Sequence, residues 1–444
     1  MKRVKNRAYA LVLLAGLLIL GTLLYVIRFI DSGAQWAMFS ANKSVYRNGY
    51  IMSGRVTDRF GTVLAQSENG TRSYSSDYKT RLACLHAAGD FEGNIGTGAV
   101  TAFADKLAGY SLVTGVSDLG GTVALTVDAE LNRAAYDALA GRRGAVMVMD
   151  YTTGEVLCMV STPSYDPETG FDENDPAYSG AYINRCLSSA YTPGSVFKLV
   201  TLAAAIESIP DLYSRSFYCG GSTDISGVAV KCTGTHGSQT VEQALANSCN
   251  CAFAQISLEL GADTLAKYAK SLGFTQTQTL SGIETRAGSF DRAASGSADL
   301  AWSGIGQYTD LVCPYSMLRY VSAIANGGSL AEPTLLLGEK GGKASLLKPE
   351  TAEKIADMMS YNVAYAYGAG SFPGLAMCAK SGTAETGNGA SHAWLTGFLD
   401  DAEHPYAFVV VIENGGGGLR NAGPVANAVL QAAVKKDYSG DKND

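Results

Sequence analysis

The stretch Ala190-Tyr191-Thr192-Pro193-Gly194-Ser195-Val196-Phe197-Lys198, running on into the apolar residues Leu199 to Ile206, decides how this chain is read. A serine hydroxyl is a poor nucleophile at neutral pH unless a base holds its proton, and three residues on along a helix an amine stands beside it. Pro193 and Gly194 let the chain turn sharply, so the spacing predicts a helix over residues 195–208 with Ser195 at its N-terminus. Free backbone N–H groups and the helix dipole favour developing negative charge there. This is how a nucleophile for acyl transfer is arranged. Ser-x-x-Lys also occurs at Ser40/Lys43, Ser76/Lys79, Ser345/Lys348 and Ser439/Lys442, in polar or turn-rich surroundings. Only Ser195 opens a segment apolar nearly all round, the pattern of a helix buried in a large core.

Two further short motifs suit the same chemistry. Ser248-Cys249-Asn250 falls between two helical segments, where the Ser248 hydroxyl can pass a proton and the Asn250 amide can both accept from and donate to a peptide. Ser248 also reads as the N-cap of the helix that follows. Lys380-Ser381-Gly382-Thr383 lies on a strand from Leu375. Gly382 lets a substrate backbone lie against that strand, and the Ser381 and Thr383 hydroxyls can hold a carboxylate beside the Lys380 charge. The N–H groups of Ser195 and Thr383 would form an oxyanion hole.

Around these motifs the pattern is α+β. Residues 144–150 and 155–161 read as a hairpin, and 375–384, 393–400 and 406–413 as neighbouring antiparallel strands of the same sheet. Helical patterns lie between them at 195–208, 241–247, 250–260, 263–272, 314–325 and 350–359, and a last helix, 424–436, places Pro424 in its first turn. Strands at both ends with helices between indicate an antiparallel sheet covered by helices. Upstream, Lys2, Arg3, Lys5 and Arg7 precede an uncharged Leu-rich run long enough for one bilayer crossing, which orients the N-terminus to the cytoplasm and the rest outside. The expected divisions are a basic segment at 1–7, a transmembrane helix at 8–30, a small β-rich module at 31–120, the main domain at 121–437 and a flexible tail at 438–444.

The net charge of −7 on 444 residues, with no basic stripe in the main body, excludes nucleic acid as an expected partner. The 9 cysteines are scattered. Cys219 and Cys232 flank a Gly/Ser/Thr-rich stretch and can close a surface hairpin as a disulfide in an oxidising compartment, reduced buried thiols being the other reading. A zinc site from Cys219, Cys232, Cys249 and Cys251 is not expected, because the spacing is unlike paired Cys-x-x-Cys. With 4 histidines and no partner motif for His236 or His392, no metal and no cofactor are expected.

Taken in order, Ser-x-x-Lys, Ser-x-Asn and Lys-Ser-Gly form a specific constellation. Together with Gly144–Leu157, Ser161–Pro167, Gly304-Ile-Gly-Gln307, Ala325-Asn-Gly-Gly328 and His392–Phe398, the chain resembles the monofunctional class B penicillin-binding proteins. Gly54-Arg-Val-Thr-Asp-Arg-Phe-Gly61 resembles the start of that family's membrane-proximal pedestal, so 31–120 is expected to be a pedestal of the dimerisation-like type. The resemblance implies the penicillin-binding transpeptidase fold without appended wall-binding modules. It implies peptidoglycan D,D-transpeptidation on stem peptides through an acyl-enzyme that β-lactam antibiotics also form. Ser195 would be the nucleophile and Lys198 its base, with a pKa lowered by burial and by Lys380. Ser248 would deliver a proton to the leaving amine, Asn250 would bind the substrate amide, and Lys380, Ser381 and Thr383 the terminal carboxylate. A membrane glycosyltransferase of the SEDS type would supply the glycan in a bacterial cell membrane. A D,D-carboxypeptidase or β-lactamase, in which water resolves the acyl-enzyme, is the rival enzymatic reading, and a non-catalytic scaffold or β-lactam sensor the rival outside enzymology.

Overall fold

The computed structural model describes residues 2–39, 41–47, 50–117, 119–368, 370–387, 389–436 and 438. Helix α1 (Lys2–Ala37) contains the expected span and runs past both of its ends. It is long and apolar enough to cross a membrane, and none of its apolar stretch is buried against the protein. Side chains such as Leu13 and Ile19 stand fully outward, a surface that hydrocarbon and not water suits.

Strands β1 (Gly54–Thr57), β2 (Val63–Glu68) and β3 (Thr71–Tyr74) pair antiparallel in the order β3-β2-β1, and β4 (Thr122–Ala124) adds to β1 in parallel. The pedestal sheet therefore recruits residues just beyond position 120. The module is less purely β than its sequence suggests, because helix α2 (Tyr78–Ala88) packs beneath the sheet with Asp77 as its N-cap. That helix is buried on most sides, so its apolar residues show no 3.6-residue stripe to betray it. Bidentate Arg81 to Asp166, both contacts 2.8 Å, and His86 Nε2 to the Ala181 carbonyl at 2.8 Å join pedestal to main domain.

The main domain begins with α3 (Ala129–Leu139), capped by Asp128, and the hairpin β5 (Gly144–Asp150) and β6 (Val156–Thr162). Next come α4 (Lys198–Ser208), the small strands β7 (Phe217–Cys219), β8 (Ser222–Ile225), β9 (Val228–Lys231) and β10 (Gly237–Gln239), and helices α5 (Val241–Ala246), α6 (Asn250–Ser271), α7 (Ala298–Ile305), α8 (Pro314–Ala325) and α9 (Pro349–Asn362). Strands β11 (Met377–Ala384), β12 (His392–Leu399) and β13 (Tyr406–Ile412) and helix α10 (Gly418–Ala433) close it. The five-stranded sheet runs β11-β12-β13-β5-β6, antiparallel throughout, with β11 at one edge. Val146, Val148, Val160, Leu395 and Val410 face α3 and α10. Ala145, Met147, Met149, Met159 and Val409 face α8 and the helical bundle. Burial on both faces is why these strands read as continuous apolar runs without alternation. The fold is α+β, with the sheet covered by helices as expected.

Several elements differ in detail. The helix expected from residue 195 is a 3-10 turn, Gly194–Phe197, leading into α4. The helices expected at 250–260 and 263–272 are one kinked helix, bent where Gly261 takes φ +77°. Helix α7 has no counterpart among the helical patterns named above, although Ser297 caps it and Gly306 ends it. Pro424 lies inside α10, which starts earlier at Gly418, so the proline removes one internal N–H instead of opening the helix. Tyr438, placed in the expected loose tail, packs down and donates to Asp128 Oδ2 at 2.8 Å. The remainder of that tail, 439–444, is outside the described residues.

Candidate active site

The turn carrying Ser195 is held from several sides. Gly194 N donates to the Gly306 carbonyl (2.8 Å), Trp394 Nε1 to the Thr192 carbonyl (3.0 Å), and Tyr191 and Val312 exchange backbone hydrogen bonds at 3.0 and 2.8 Å. The Tyr191 hydroxyl donates to Glu413 Oε1 at 2.8 Å, which also takes Arg185 Nε at 2.7 Å. A Cβ on Gly306, whose φ is +86°, would stand 2.2 Å from the Gly194 carbonyl oxygen, so the loop after α7 approaches the turn as only glycine allows. In a 3-10 turn residues three apart eclipse, which aligns them more closely than an α-helix would. Lys198 Nζ accordingly lies 3.1 Å from Ser195 Oγ.

Lys198 is wholly buried and donates to the Ser248 carbonyl at 2.6 Å and Asn250 Oδ1 at 2.8 Å, with Ser248 Oγ at 3.3 Å. Lys380, also buried, reaches the same Ser248 Oγ at 3.0 Å and the Ser381 carbonyl at 2.8 Å. One hydroxyl thus bridges two amines. Burial lowers the Lys198 pKa to about 7. Lys380 is pushed well below the ordinary lysine range, first by burial and then by the Lys198 charge.

Ser248 adopts φ +49°, a left-handed conformation that costs a non-glycine residue about 1 kcal/mol or more and collects at functional sites. It turns both the Ser248 carbonyl and the hydroxyl toward Lys198. The cap of α6 is not Ser248, as the sequence suggested, but Cys249, whose Sγ accepts from Ala252 N at 3.5 Å. Asn250 is also more occupied than expected. Its Oδ1 takes Lys198, and its Nδ2 donates to the Lys231 carbonyl at 2.9 Å, tying the amine to the β8–β9 hairpin.

On edge strand β11, Ser381 and Thr383 face the cleft, while Gly382 faces away and is buried. A Cβ there would lie 2.8 Å from the Pro193 carbonyl oxygen and 3.1 Å from Val196 Cγ1. On its buried face Gly382 therefore makes room for the nucleophile turn. Thr383 Oγ1 accepts from Gly418 N at 3.0 Å, which leaves its proton to donate. Tyr367, which no motif signalled, accepts from Ser381 N at 2.6 Å and donates to Ser381 Oγ at 2.9 Å, fixing that hydroxyl. The cleft measures about 570 Å³ and is lined by Ser195, Ser248, Asn250, Ser381 and Thr383 together with Trp302, Tyr308 and Glu385. Ser195, Lys198, Ser248, Asn250, Lys380, Ser381 and Thr383, all expected in the site, gather at this one place.

Of the two readings of Cys219 and Cys232, the reduced one matches the structure: both are free thiols, and Cys232 Sγ lies 3.8 Å from Cys249 Sγ and 3.6 Å from His236 Nδ1.

The family described as the penicillin binding protein transpeptidase domain matches residues 144–431. The peptidoglycan D,D-transpeptidase PbpA of Mycobacterium tuberculosis is 29% identical over 378 residues, covering 75% of this chain and 76% of its own. The D,D-transpeptidase domain of a peptidoglycan glycosyltransferase from Eggerthella lenta superposes with a TM-score of 0.73 at 28% identity, covering 86% of this chain and 98% of that one. Penicillin-binding protein A from M. tuberculosis, solved as its penicillin G acyl-enzyme, gives 0.70 at 25% identity over 86% and 99%.

Proposed function

Because the chain belongs to the penicillin-binding-protein transpeptidase family, we propose that Ser195 attacks the penultimate D-Ala carbonyl of a peptidoglycan stem peptide and that an amine of a neighbouring stem resolves the acyl-enzyme into a cross-link. The observation that carries this reading is the contact of Ser195 Oγ with a buried amine, Lys198 at 3.1 Å, which shares Ser248 with Lys380.

Neutral Lys198 takes the Ser195 proton as the Oγ–C bond forms. The carbonyl oxygen gains charge opposite the N–H groups of Ser195 and Thr383, the second of them on edge strand β11. Collapse expels the terminal D-Ala, whose amine receives a proton by way of Ser248, the hydroxyl that touches both lysines. The substrate carboxylate sits against the Ser381 and Thr383 hydroxyls, and its charge favours protonated Lys380 beneath them. A β-lactam would acylate Ser195 by the same steps, its carboxylate in the same place.

Helix α1 anchors the enzyme in the bacterial cell membrane in this reading. The basic residues Lys2, Arg3, Lys5 and Arg7 stay on the cytoplasmic side, and the cleft lies outside. Cross-linking consumes newly polymerised glycan, so the proposal includes a SEDS-type membrane glycosyltransferase as the partner that supplies it.

The test supplies a D-Ala-D-Ala-terminated pentapeptide with a stem peptide bearing a free amine and separates the products by mass. The expected result is a cross-linked dimer with one D-Ala released per link. Trimmed tetrapeptide without dimer would make the chain a carboxypeptidase and overturn the cross-linking step.

A further inference from the structure

Strand β11 lies at the edge of the sheet, so every second residue turns its N–H and C=O away from β12 and toward whatever lies alongside. Ala379, Ser381 and Thr383 are such residues. The chain itself already occupies the first two. Asn362 Nδ2 donates to the Ala379 carbonyl at 2.7 Å, Lys380 Nζ to the Ser381 carbonyl at 2.8 Å, and Ser381 N to the Tyr367 hydroxyl at 2.6 Å. Asn362 ends α9, and Tyr367 ends the π-helical turn Val363–Tyr367 that follows it, a rare conformation that gathers at functional sites. The Ser371 hydroxyl holds that turn by donating to the Tyr367 carbonyl at 2.6 Å. Thr383, the next residue on the edge, gives its N–H to the oxyanion in the proposed reaction.

Tyr367 acts on this edge in two ways. Its oxygen accepts from Ser381 N, so its own proton goes to Ser381 Oγ at 2.9 Å, and the Ser381 proton is left to donate into the cleft. Burial raises the Tyr367 pKa, which keeps the phenol proton in place. A hydroxyl fixed as donor binds an ionised carboxylate more strongly than a neutral amide. The Tyr367 hydroxyl also stands where a peptide carbonyl would pair with Ser381 N if a substrate ran on along the edge. The spacing sets how much substrate fits. Thr383 and Ser381 are two residues apart, about 7 Å on a strand. From a scissile carbonyl at Thr383 N, one leaving residue advances about 3.4 Å and a hydrogen bond from its carboxylate about 3 Å more, which reaches Ser381. A second leaving residue would have to displace Tyr367.

We propose that Tyr367 is a specificity-determining residue, an end wall that closes the β11 edge at Ser381 and admits only chains that stop, in a free carboxylate, one residue beyond the scissile carbonyl. The role rests on the transpeptidase reading of the cleft.

The test uses the full chain in detergent and identifies by mass the fragment released from three donors: a stem peptide ending in D-Ala-D-Ala, the same peptide as its C-terminal amide, and the same peptide with one glycine added. Wild type is expected to release D-Ala from the first about 10²-fold or more faster than it releases D-Ala-Gly from the third. Tyr367→Phe keeps the ring and should lose about tenfold of the preference for acid over amide while still rejecting the extended donor. Tyr367→Leu keeps apolar packing against the core but falls short of the strand, and should cut the preference for the unextended donor about tenfold. Each readout is a ratio within one protein, so a loosened fold that slows all donors together leaves it unmoved. An acid-over-amide ratio unchanged in Tyr367→Phe overturns the carboxylate role, and a length preference unchanged in Tyr367→Leu, or absent from wild type, overturns the wall. Wild type that releases nothing from any donor refutes the transpeptidase reading and this role with it, whereas wild-type release with unmoved ratios in both variants refutes Tyr367 alone.

Discussion

Ser195→Ala is expected to abolish covalent labelling by a fluorescent penicillin while the protein remains folded. The substitution deletes one oxygen from a half-buried side chain on the cleft wall, so it opens no core cavity. Lys198 keeps the Ser248 carbonyl, the Ser248 hydroxyl and Asn250 Oδ1 as partners, so no buried donor is stranded. Stability should therefore move by about 0.5 kcal/mol or less, read as a melting temperature nearly unchanged. The missing Oγ, by contrast, is the group that forms the acyl bond in the proposed reaction. In-gel fluorescence beside a thermal melt separates the two effects. Labelling that persists in a folded variant would mean that another residue is the nucleophile.

Lys198→Met should slow acylation about 10²- to 10⁴-fold, the usual contribution of a positioned base. Methionine keeps the buried volume and removes the amine. The pH profile supplies the distinguishing readout. An amine acts as base only when neutral, and burial has brought Lys198 down to about 7, so about half of it is competent at neutral pH where an ordinary lysine would be almost wholly protonated. Wild-type acylation should therefore climb with pH, about tenfold per unit below 7, and level off above it. That acid limb should vanish in Lys198→Met. A variant that keeps it would show that some other group titrates.

The sheet was legible because its strands are apolar runs cut by Gly, Asn, Asp and Pro, and the site because three short motifs each carry groups that acyl transfer needs. What stayed hidden depends on which surface a residue meets. Gly382 reads as a place for substrate, yet it is the Pro193 carbonyl that crowds it. Asn250 reads as a substrate ligand, yet folding brings Lys198 and Lys231 to it first. Helix α2, buried nearly all round, lacks the stripe by which amphipathic helices are found, whereas α7 had its frame of Ser297 and Gly306 in plain view.

The convergence of Ser195, Ser248, Lys380 and the β11 hydroxyls on one bond is tested most directly by an electron-density map of the penicillin-acylated protein. The expected map shows the acyl carbon bonded to Ser195 Oγ, its oxygen between the N–H groups of Ser195 and Thr383, and the drug carboxylate about 3 Å from the Ser381 and Thr383 hydroxyls. An adduct on any other residue, or a carboxylate turned away from β11, would contradict it.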